Sequence, residues 1–227
     1  MQAIRFALML ISVVAAAVSG PSAAPVAQAE ESPLILFLGD SLTAGYGLDP
    51  ALAFPALIQE KIREQGWDFE ILNAGLSGET SAGGLRRINW IMRRKPAMVV
   101  LELGANDGLR GVPLESTKRN LQAIIDRARQ ANPEVEIVLA GMMVPPNLGP
   151  HYSDQFQSMF PQLAESNNAY LIPFLLEDVA AQPELNLADG IHPNAQGHQI
   201  VAENVWEVLK PILARMAGNQ KGEASDR

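Results

Sequence analysis

The chain has 227 residues, of which 48% are hydrophobic and 19% charged, and it contains no cysteine. This composition predicts one globular domain with a sizeable core. The lack of cysteine excludes disulfides, thiolate metal sites and a cysteine nucleophile. The net charge of -8 argues against nucleic acid or an anionic membrane as a partner.

The first 29 residues have the pattern of a secretory signal peptide. Arg5 is the only charged side chain before Glu30, Phe6 to Val18 is an apolar run, and Ala27-Gln28-Ala29 has the form of a cleavage site. We therefore expect residues 1–29 to be removed and the mature protein to be periplasmic or secreted. An uncleaved membrane anchor is the alternative, which the short apolar run disfavours because a spanning helix needs about 20 residues.

Apolar runs alternate with helically spaced apolar residues along the rest of the chain. Five strands are predicted, at 34–38, 67–74, 98–103, 135–140 and 169–173. Helices are predicted at 51–65, 85–94, 113–130, 156–166 and 195–216. This alternation predicts an α/β fold with a parallel sheet, whose strands all end at one edge because crossovers are right-handed. One domain is expected over residues 30–217, followed by a polar tail at 218–227.

Polar residues follow several of these strands, at the edge where open α/β sheets bind ligands. Ser41 is a candidate nucleophile, and a serine hydroxyl needs a base to take its proton. His192 is the candidate base, and Asp189, three residues earlier, is placed to orient its ring. The candidate oxyanion donors are the Ser41 N–H, the Gly78 N–H and the side chain of Asn106.

Each of these residues also has a purely structural explanation. Ser41 suits a helix cap or a turn, whereas Asn106-Asp-Gly and Asp189-Gly are common turn sequences. The catalytic interpretation is favoured because these candidate residues, each weak evidence alone, are all predicted to lie at one edge of the sheet.

Four blocks of sequence, in order along the chain, resemble the motifs of the SGNH (GDSL) hydrolase family. They are Gly39-Asp-Ser-Leu42, Asn73-Ala-Gly-Leu-Ser-Gly-Glu-Thr80, Gly104-Ala-Asn-Asp-Gly108 and Asp189-Gly-Ile-His-Pro-Asn194. Within the family the chain is similar to the exported thioesterase I, lysophospholipase and arylesterase branch. The resemblance implies the roles given above for the catalytic and oxyanion residues. It also implies a three-layer, flavodoxin-like fold with a five-stranded parallel sheet of order 2-1-3-4-5, helices on both faces and no cofactor.

The substrate is less narrowly specified by the sequence. Loops after two of the strands carry apolar residues that suit an acyl chain, although ordinary loop packing explains them equally well. The candidates for substrate binding are Leu109, Val144, Pro145 and Pro146.

The favoured function is a serine esterase or thioesterase. It would hydrolyse lysophospholipid, aryl or fatty-acyl esters and thioesters through an acyl-Ser41 intermediate. A carbohydrate O-deacetylase and a noncatalytic lipid- or glycan-binding module on the same fold remain open. The predicted partner is a small-molecule ester or thioester, with no nucleic acid, no metal, no stable membrane insertion and a monomeric state.

Overall fold

The computed structural model describes residues 32–145 and 148–225. The predicted signal peptide, residues 1–29, and the substrate-binding candidate Pro146 lie outside the described residues. The five strands are β1 Leu34–Gly39, β2 Glu70–Gly75, β3 Met98–Glu102, β4 Glu136–Ala140 and β5 Tyr170–Ile172. They are parallel and lie in the order β2-β1-β3-β4-β5. The predicted α/β fold class and the strand order are therefore confirmed.

Helices connect the strands and follow the last of them. The described α-helices are α1 Ser41–Ala44, α2 Phe54–Glu64, α3 Ser81–Ile91, α4 Ala105–Leu109, α5 Leu114–Ala131, α6 Pro150–Ser166 and α7 Ala195–Ser225. Because α2 packs against α7 while α3 and α6 pack against α5, the helices form two layers around the sheet. None of the helices in the described ranges is both long and apolar enough to cross a membrane.

Strand β1 is an interior strand of the sheet, between β2 and β3. Leu34 to Leu38 is an unbroken apolar run because a central parallel strand is covered by helices on both faces, and every residue of β1 is buried. Phe37 meets Phe54 of α2 edge to face, with ring centroids 5.7 Å apart. Truncation of such a buried ring to alanine typically costs about 3–5 kcal/mol. The segment that carries Ser41 therefore follows a fully buried strand.

Two helices begin elsewhere than the sequence predicts, for local reasons. Helix α2 starts at Phe54 and not at residue 51, because Pro50–Leu52 form a separate 3₁₀ turn capped by the side chain of Asp49. Helix α3 starts at Ser81 and not at residue 85, because the side chain of Thr80 accepts a hydrogen bond from the Gly83 N–H and caps it.

Two other helices are longer than predicted. Helix α6 begins at Pro150 and not at residue 156, since proline is well suited to the first turn of a helix, where its missing N–H costs nothing. Helix α7 continues to Ser225, past the predicted end at residue 216.

Candidate active site

Ser41 lies directly beyond the buried end of β1, as the first residue of the short helix α1. Asp40 caps this helix, and its Oδ1 accepts a hydrogen bond from the Leu42 N–H at 3.0 Å. The helix ends at Gly45, whose φ of 71° lies in the left-handed region that favours glycine. Both ends of the turn around Ser41 are thus fixed by hydrogen bonds and backbone geometry.

His192 and Asp189 meet this serine from the loop before α7. The His192 Nε2 lies 2.9 Å from the Ser41 Oγ, and the His192 Nδ1 lies 2.7 Å from the Asp189 Oδ2. A carboxylate can only accept, so Nδ1 carries the proton and donates to Asp189. In the neutral imidazole this leaves Nε2 as the acceptor for the Ser41 hydroxyl. The three residues form one continuous hydrogen-bonded chain.

The Asp189 carboxylate is also bound by the backbone of its own loop. Its Oδ1 accepts the N–H groups of Ile191 at 2.9 Å and His192 at 3.0 Å. These hydrogen bonds, first that from the His192 backbone and then that from its ring, lower the pKa of Asp189 to about 2. Gly190, with a φ of 68°, permits the tight turn that brings them together. Asp189 is therefore an ionised group with a fixed direction.

The Gly78 N–H is exposed in a β-turn after β2. The turn runs from Leu76 to Glu79, whose N–H bonds the Leu76 carbonyl at 3.0 Å, and Gly78 has the φ of 78° that type II turns require at their third position. Among the described residues, no hydrogen bond uses the Gly78 N–H, whereas the Gly75 N–H is engaged with the Asn73 Oδ1 at 2.9 Å. Of the two glycines in this block, Gly78 has the available donor.

Asn106 lies in α4, a short helix that replaces the turn considered from the sequence. One N–H of its amide donates to the Asp40 Oδ2 at 2.9 Å. The same Nδ2 carries a second N–H, so the amide keeps one donor while the first hydrogen bond fixes its orientation.

Tyr46 is a residue of the site that sequence reasoning missed. Its ring centroid lies 4.5 Å from that of His192, with the planes tilted by 40°. The two flanking glycines could have indicated this position from the sequence. Gly45 and Gly47 both have positive φ and turn the loop back toward the histidine. Tyr46 thus limits the rotation of the imidazole on one side.

The predicted substrate-binding residues have different environments. Leu109 and Pro145 are exposed, with 49% of Leu109 accessible. Val144 is buried, and a Cβ on Gly108 would overlap its side chain. Val144 therefore packs beneath the surface. This agrees with loop packing, the alternative to substrate binding for this loop.

The sheet topology and the hydrogen-bonded Ser41–His192–Asp189 arrangement at its carboxyl edge have the form of a serine hydrolase site without the G-x-S-x-G elbow. The chain belongs to the GDSL-like lipase/acylhydrolase family, whose sequence profile matches residues 37–200. This confirms the resemblance found in the four sequence blocks.

Characterised relatives cover most of the chain. It is 40% identical to Esterase TesA of Pseudomonas aeruginosa, over 79% of this chain and 89% of the relative. It is 36% identical to thioesterase 1/protease 1/lysophospholipase L1 of Escherichia coli K12, over 79% of this chain and 84% of the relative. The crystal structure of the psychrotrophic esterase EstA from Pseudoalteromonas sp. matches with a TM-score of 0.76 and 37% identity, over 81% of this chain and all of that one.

Proposed function

We propose that this chain hydrolyses acyl esters and thioesters through an acyl intermediate on Ser41. Its relatives are named esterase, thioesterase and lysophospholipase, and the chain is accordingly a carboxylic ester hydrolase of the GDSL family. The observation that carries the proposed mechanism is the relay from Ser41 Oγ to His192 Nε2 at 2.9 Å and from His192 Nδ1 to Asp189 at 2.7 Å.

The first half of the reaction acylates the serine. His192 Nε2 takes the hydroxyl proton as the Ser41 Oγ attacks the carbonyl carbon of the substrate. The imidazolium then gives this proton to the leaving alkoxide or thiolate as its bond to the carbonyl carbon breaks. Asp189 holds the ring in the required tautomer and stabilises its positive charge. In the second half, His192 takes a proton from the water that attacks the acyl carbon. The imidazolium then returns this proton to the Ser41 Oγ as its bond to the acyl carbon breaks, which releases the carboxylic acid and restores the hydroxyl.

The negative charge that develops on the carbonyl oxygen needs prearranged donors. We assign this role to the N–H groups of Ser41 and Gly78 and to the side-chain amide of Asn106. A different feature fixes each donor. Helix α1 holds the Ser41 N–H, the turn after β2 holds the Gly78 N–H, and the hydrogen bond to Asp40 holds the Asn106 amide. Removal of one such donor typically lowers turnover about 100–1000-fold.

Exposed apolar side chains around this edge support an acyl chain as the group recognised. Most of the large exposed apolar residues in the described ranges lie on segments that follow strand ends or precede α7, and the exceptions are Trp90 in α3 and Leu52 in the 3₁₀ turn before α2. We call the following group the apolar rim: Tyr46, Leu76, Leu109, Met143, Leu148 and Ile191. Apolar surface of this kind is stabilised when a substrate chain covers it.

A chain-length series tests this assignment. We expect kcat/KM for p-nitrophenyl esters to rise as the acyl group is lengthened from acetyl, and the rise to be weaker in Leu109→Asn because a polar amide replaces apolar contact area. Trp90→Asn is the matched control, since Trp90 is also exposed but lies outside the apolar rim. Equal rates for all chain lengths, together with strong release of acetate from acetyl-xylan, would instead favour a carbohydrate O-deacetylase.

Export from the cytoplasm is part of the same proposal. It is supported by the Ala27-Gln28-Ala29 pattern after an apolar run and by the absence of cysteine from the chain. Amino-terminal sequencing of the protein recovered from a periplasmic or culture fraction tests it. A mature end at Glu30 is expected. An intact Met1 in that fraction would contradict the cleavage, and recovery of the protein from the cytoplasmic fraction alone would contradict export.

A further inference from the structure

Glu102 is a buried acidic residue that the proposed reaction does not use. It ends β3, directly beside the end of β1, and only 1% of its surface is exposed. In the part of the chain that the structure describes, no lysine, arginine or histidine forms an ion pair with it. A buried ionised carboxylate without a cation is strongly destabilising, so the protonation state of Glu102 needs an explanation.

One oxygen of Glu102 holds the turn that carries the nucleophile. The Glu102 Oε2 accepts hydrogen bonds from the Asp40 N–H at 3.1 Å, the Thr43 N–H at 3.3 Å and the Thr43 hydroxyl at 2.6 Å. A Cβ on Gly39 would overlap this oxygen, which is why glycine is needed there. The donors flank Ser41 on both sides, so Glu102 sets the position of the Ser41 N–H and Oγ.

The other carboxyl oxygen of Glu102, Oε1, has different hydrogen-bonding surroundings. The Oε1 is buried and accepts no hydrogen bond from any described protein group. Because three donors already point at Oε2, a proton on this carboxyl group belongs on Oε1. A neutral carboxylic acid with its hydroxyl at Oε1 places no negative charge on an oxygen that no described donor reaches, whereas a carboxylate leaves an uncompensated charge there.

The neighbouring charges favour the same state. Burial, and then the charge of Asp40, raise the pKa of Glu102 well above its usual range. Burial also raises the pKa of Asp40, but hydrogen bonds from Leu42 N–H and Asn106 and the charge of His192 oppose this. Asp40 is therefore the member of the pair that keeps its charge.

Other charged groups nearby are already paired. Arg87, which reaches the Gly39 carbonyl at 3.5 Å, is bound by Glu79. Asp107 in α4 accepts hydrogen bonds from Ser81 and Thr117. Arg87 is therefore not a free cation that could pair with Glu102.

We propose that Glu102 is a neutral carboxylic acid in the working enzyme and acts as a positioning residue. Its Oε2 holds the turn around Ser41, and its neutrality leaves Asp40 as the single carboxylate that orients Asn106. This inference rests on the proposed function. It follows that ionisation of Glu102 at alkaline pH places two negative charges side by side in the core, displaces Asp40 and Asn106, and reversibly lowers activity.

Glu102→Gln is the decisive variant because glutamine mimics the protonated acid. Its amide oxygen can take the place of Oε2, and its NH₂ group that of the Oε1 hydroxyl. We expect its kcat/KM at neutral pH to stay within about threefold of the parent, and its activity to persist at alkaline pH where that of the parent declines. Glu102→Ala, which leaves the three donors without an acceptor, is expected to lose about 100-fold in kcat, in line with the effect of one misplaced oxyanion donor. A loss of more than tenfold in a folded Glu102→Gln protein, or an unchanged alkaline decline, would overturn the proposal.

Infrared spectroscopy tests the protonation state without reference to activity. The parent protein at neutral pH should show the carbonyl band of a buried protonated carboxyl group, and Ser41→Ala should keep it. In Asp40→Asn the band should titrate at lower pH than in the parent, because the repelling charge of Asp40 is gone. An unchanged titration would contradict the charge coupling between Asp40 and Glu102. Absence of the band from the parent protein would overturn the proposal even if Glu102→Gln did not fold. Full activity of Ser41→Ala would overturn the proposed function alone, leaving the band as the measure of Glu102.

Discussion

Asn106 donates a hydrogen bond from Nδ2 to the Asp40 Oδ2 over 2.9 Å. This bond joins the segment after β3 to the residue before Ser41, the proposed nucleophile. Asp40 at the same time accepts the Leu42 N–H through its other oxygen. One buried carboxylate therefore fixes both the turn around Ser41 and the amide assigned to the oxyanion hole. This link makes the catalytic geometry a property of the two central strands, β1 and β3.

Asn106→Ala should lower kcat about 100–1000-fold with little change in KM, because the lost donor acts mainly on the transition state. Asn89→Ala on the exposed surface of α3 is the control and should leave both constants unchanged. Steady-state kinetics with one activated ester measure the difference. An Asn106→Ala enzyme that keeps the kcat of the parent would remove Asn106 from the oxyanion hole.

Gly78→Ala should separate a backbone effect on stability from an effect on catalysis. The φ of 78° at Gly78 disfavours alanine by roughly 1–2 kcal/mol. A Cβ there would meet only the Arg110 Nη2, at 3.7 Å, so crowding adds little. We expect the turn to rearrange and kcat to fall tenfold or more as the N–H changes direction.

Gly66→Ala is the matched control for that variant. Gly66 has a φ of 66°, and nothing lies within 4 Å of a Cβ built on it. It should lose a similar amount of unfolding free energy in urea titrations and keep its kcat. Equal catalytic losses in the two variants would show that Gly78 has no special part in the reaction.

Asp189→Asn should lower kcat by about 10⁴-fold, because the amide cannot hold His192 in the tautomer that presents Nε2 to Ser41. The parent enzyme should keep its Asp189 charge at all but strongly acidic pH, since the pKa of that carboxyl is lowered to about 2. Protonation of Asp189 should therefore contribute no loss of activity in mild acid. Steady-state kinetics of the parent and of Asp189→Asn measure the effect, and an Asp189→Asn enzyme that keeps the kcat of the parent would remove Asp189 from the relay.

His198 should make the fold less stable in acid. Its Nδ1 accepts the Phe54 N–H at 3.1 Å, and burial, followed by the charge of His192, lowers its pKa from 6.5 to about 4. Between these two values the unfolded chain binds a proton that the folded protein does not, so the free energy of unfolding falls as the pH drops. The loss amounts to about 3 kcal/mol at most.

Urea unfolding as a function of pH measures this effect. His198→Gln should abolish that part of the pH dependence, since glutamine can still accept the Phe54 N–H and does not titrate. His151→Gln, at an exposed position, should retain it. The same pH dependence in all three proteins would mean that another group is responsible.

The sequence was sufficient to predict the sheet and the placement of the reacting groups on one edge. The apolar run before Ser41 and the spacing of the four blocks carry that information, because parallel strands must all end on the same side. Tyr46 and Glu102 could not be assigned in this way. Tyr46 lies against His192 only because the loop folds back across the site, and Glu102 matters only because β1 and β3 are neighbours in space.

The start of α3 was predicted wrongly, and the sequence left open whether Val144 packs within its loop or contacts substrate. Gly83 and Gly84 suggest a loop, yet they lie in the helix that Thr80 caps, at positions where larger residues would crowd Glu79 and Leu103. Val144 fills the space that Gly108 leaves open. In each case tertiary packing outweighs the local preference of the chain.

Covalent labelling of Ser41 tests the central claim most directly. A fluorophosphonate reacts with a serine hydroxyl only when a base activates it, so mass spectrometry of the digested protein locates the nucleophile. We predict one adduct, on the peptide that contains Ser41, with labelling lost in Ser41→Ala and greatly slowed in His192→Gln. An adduct on a different serine, with ester hydrolysis persisting in Ser41→Ala, would contradict the account.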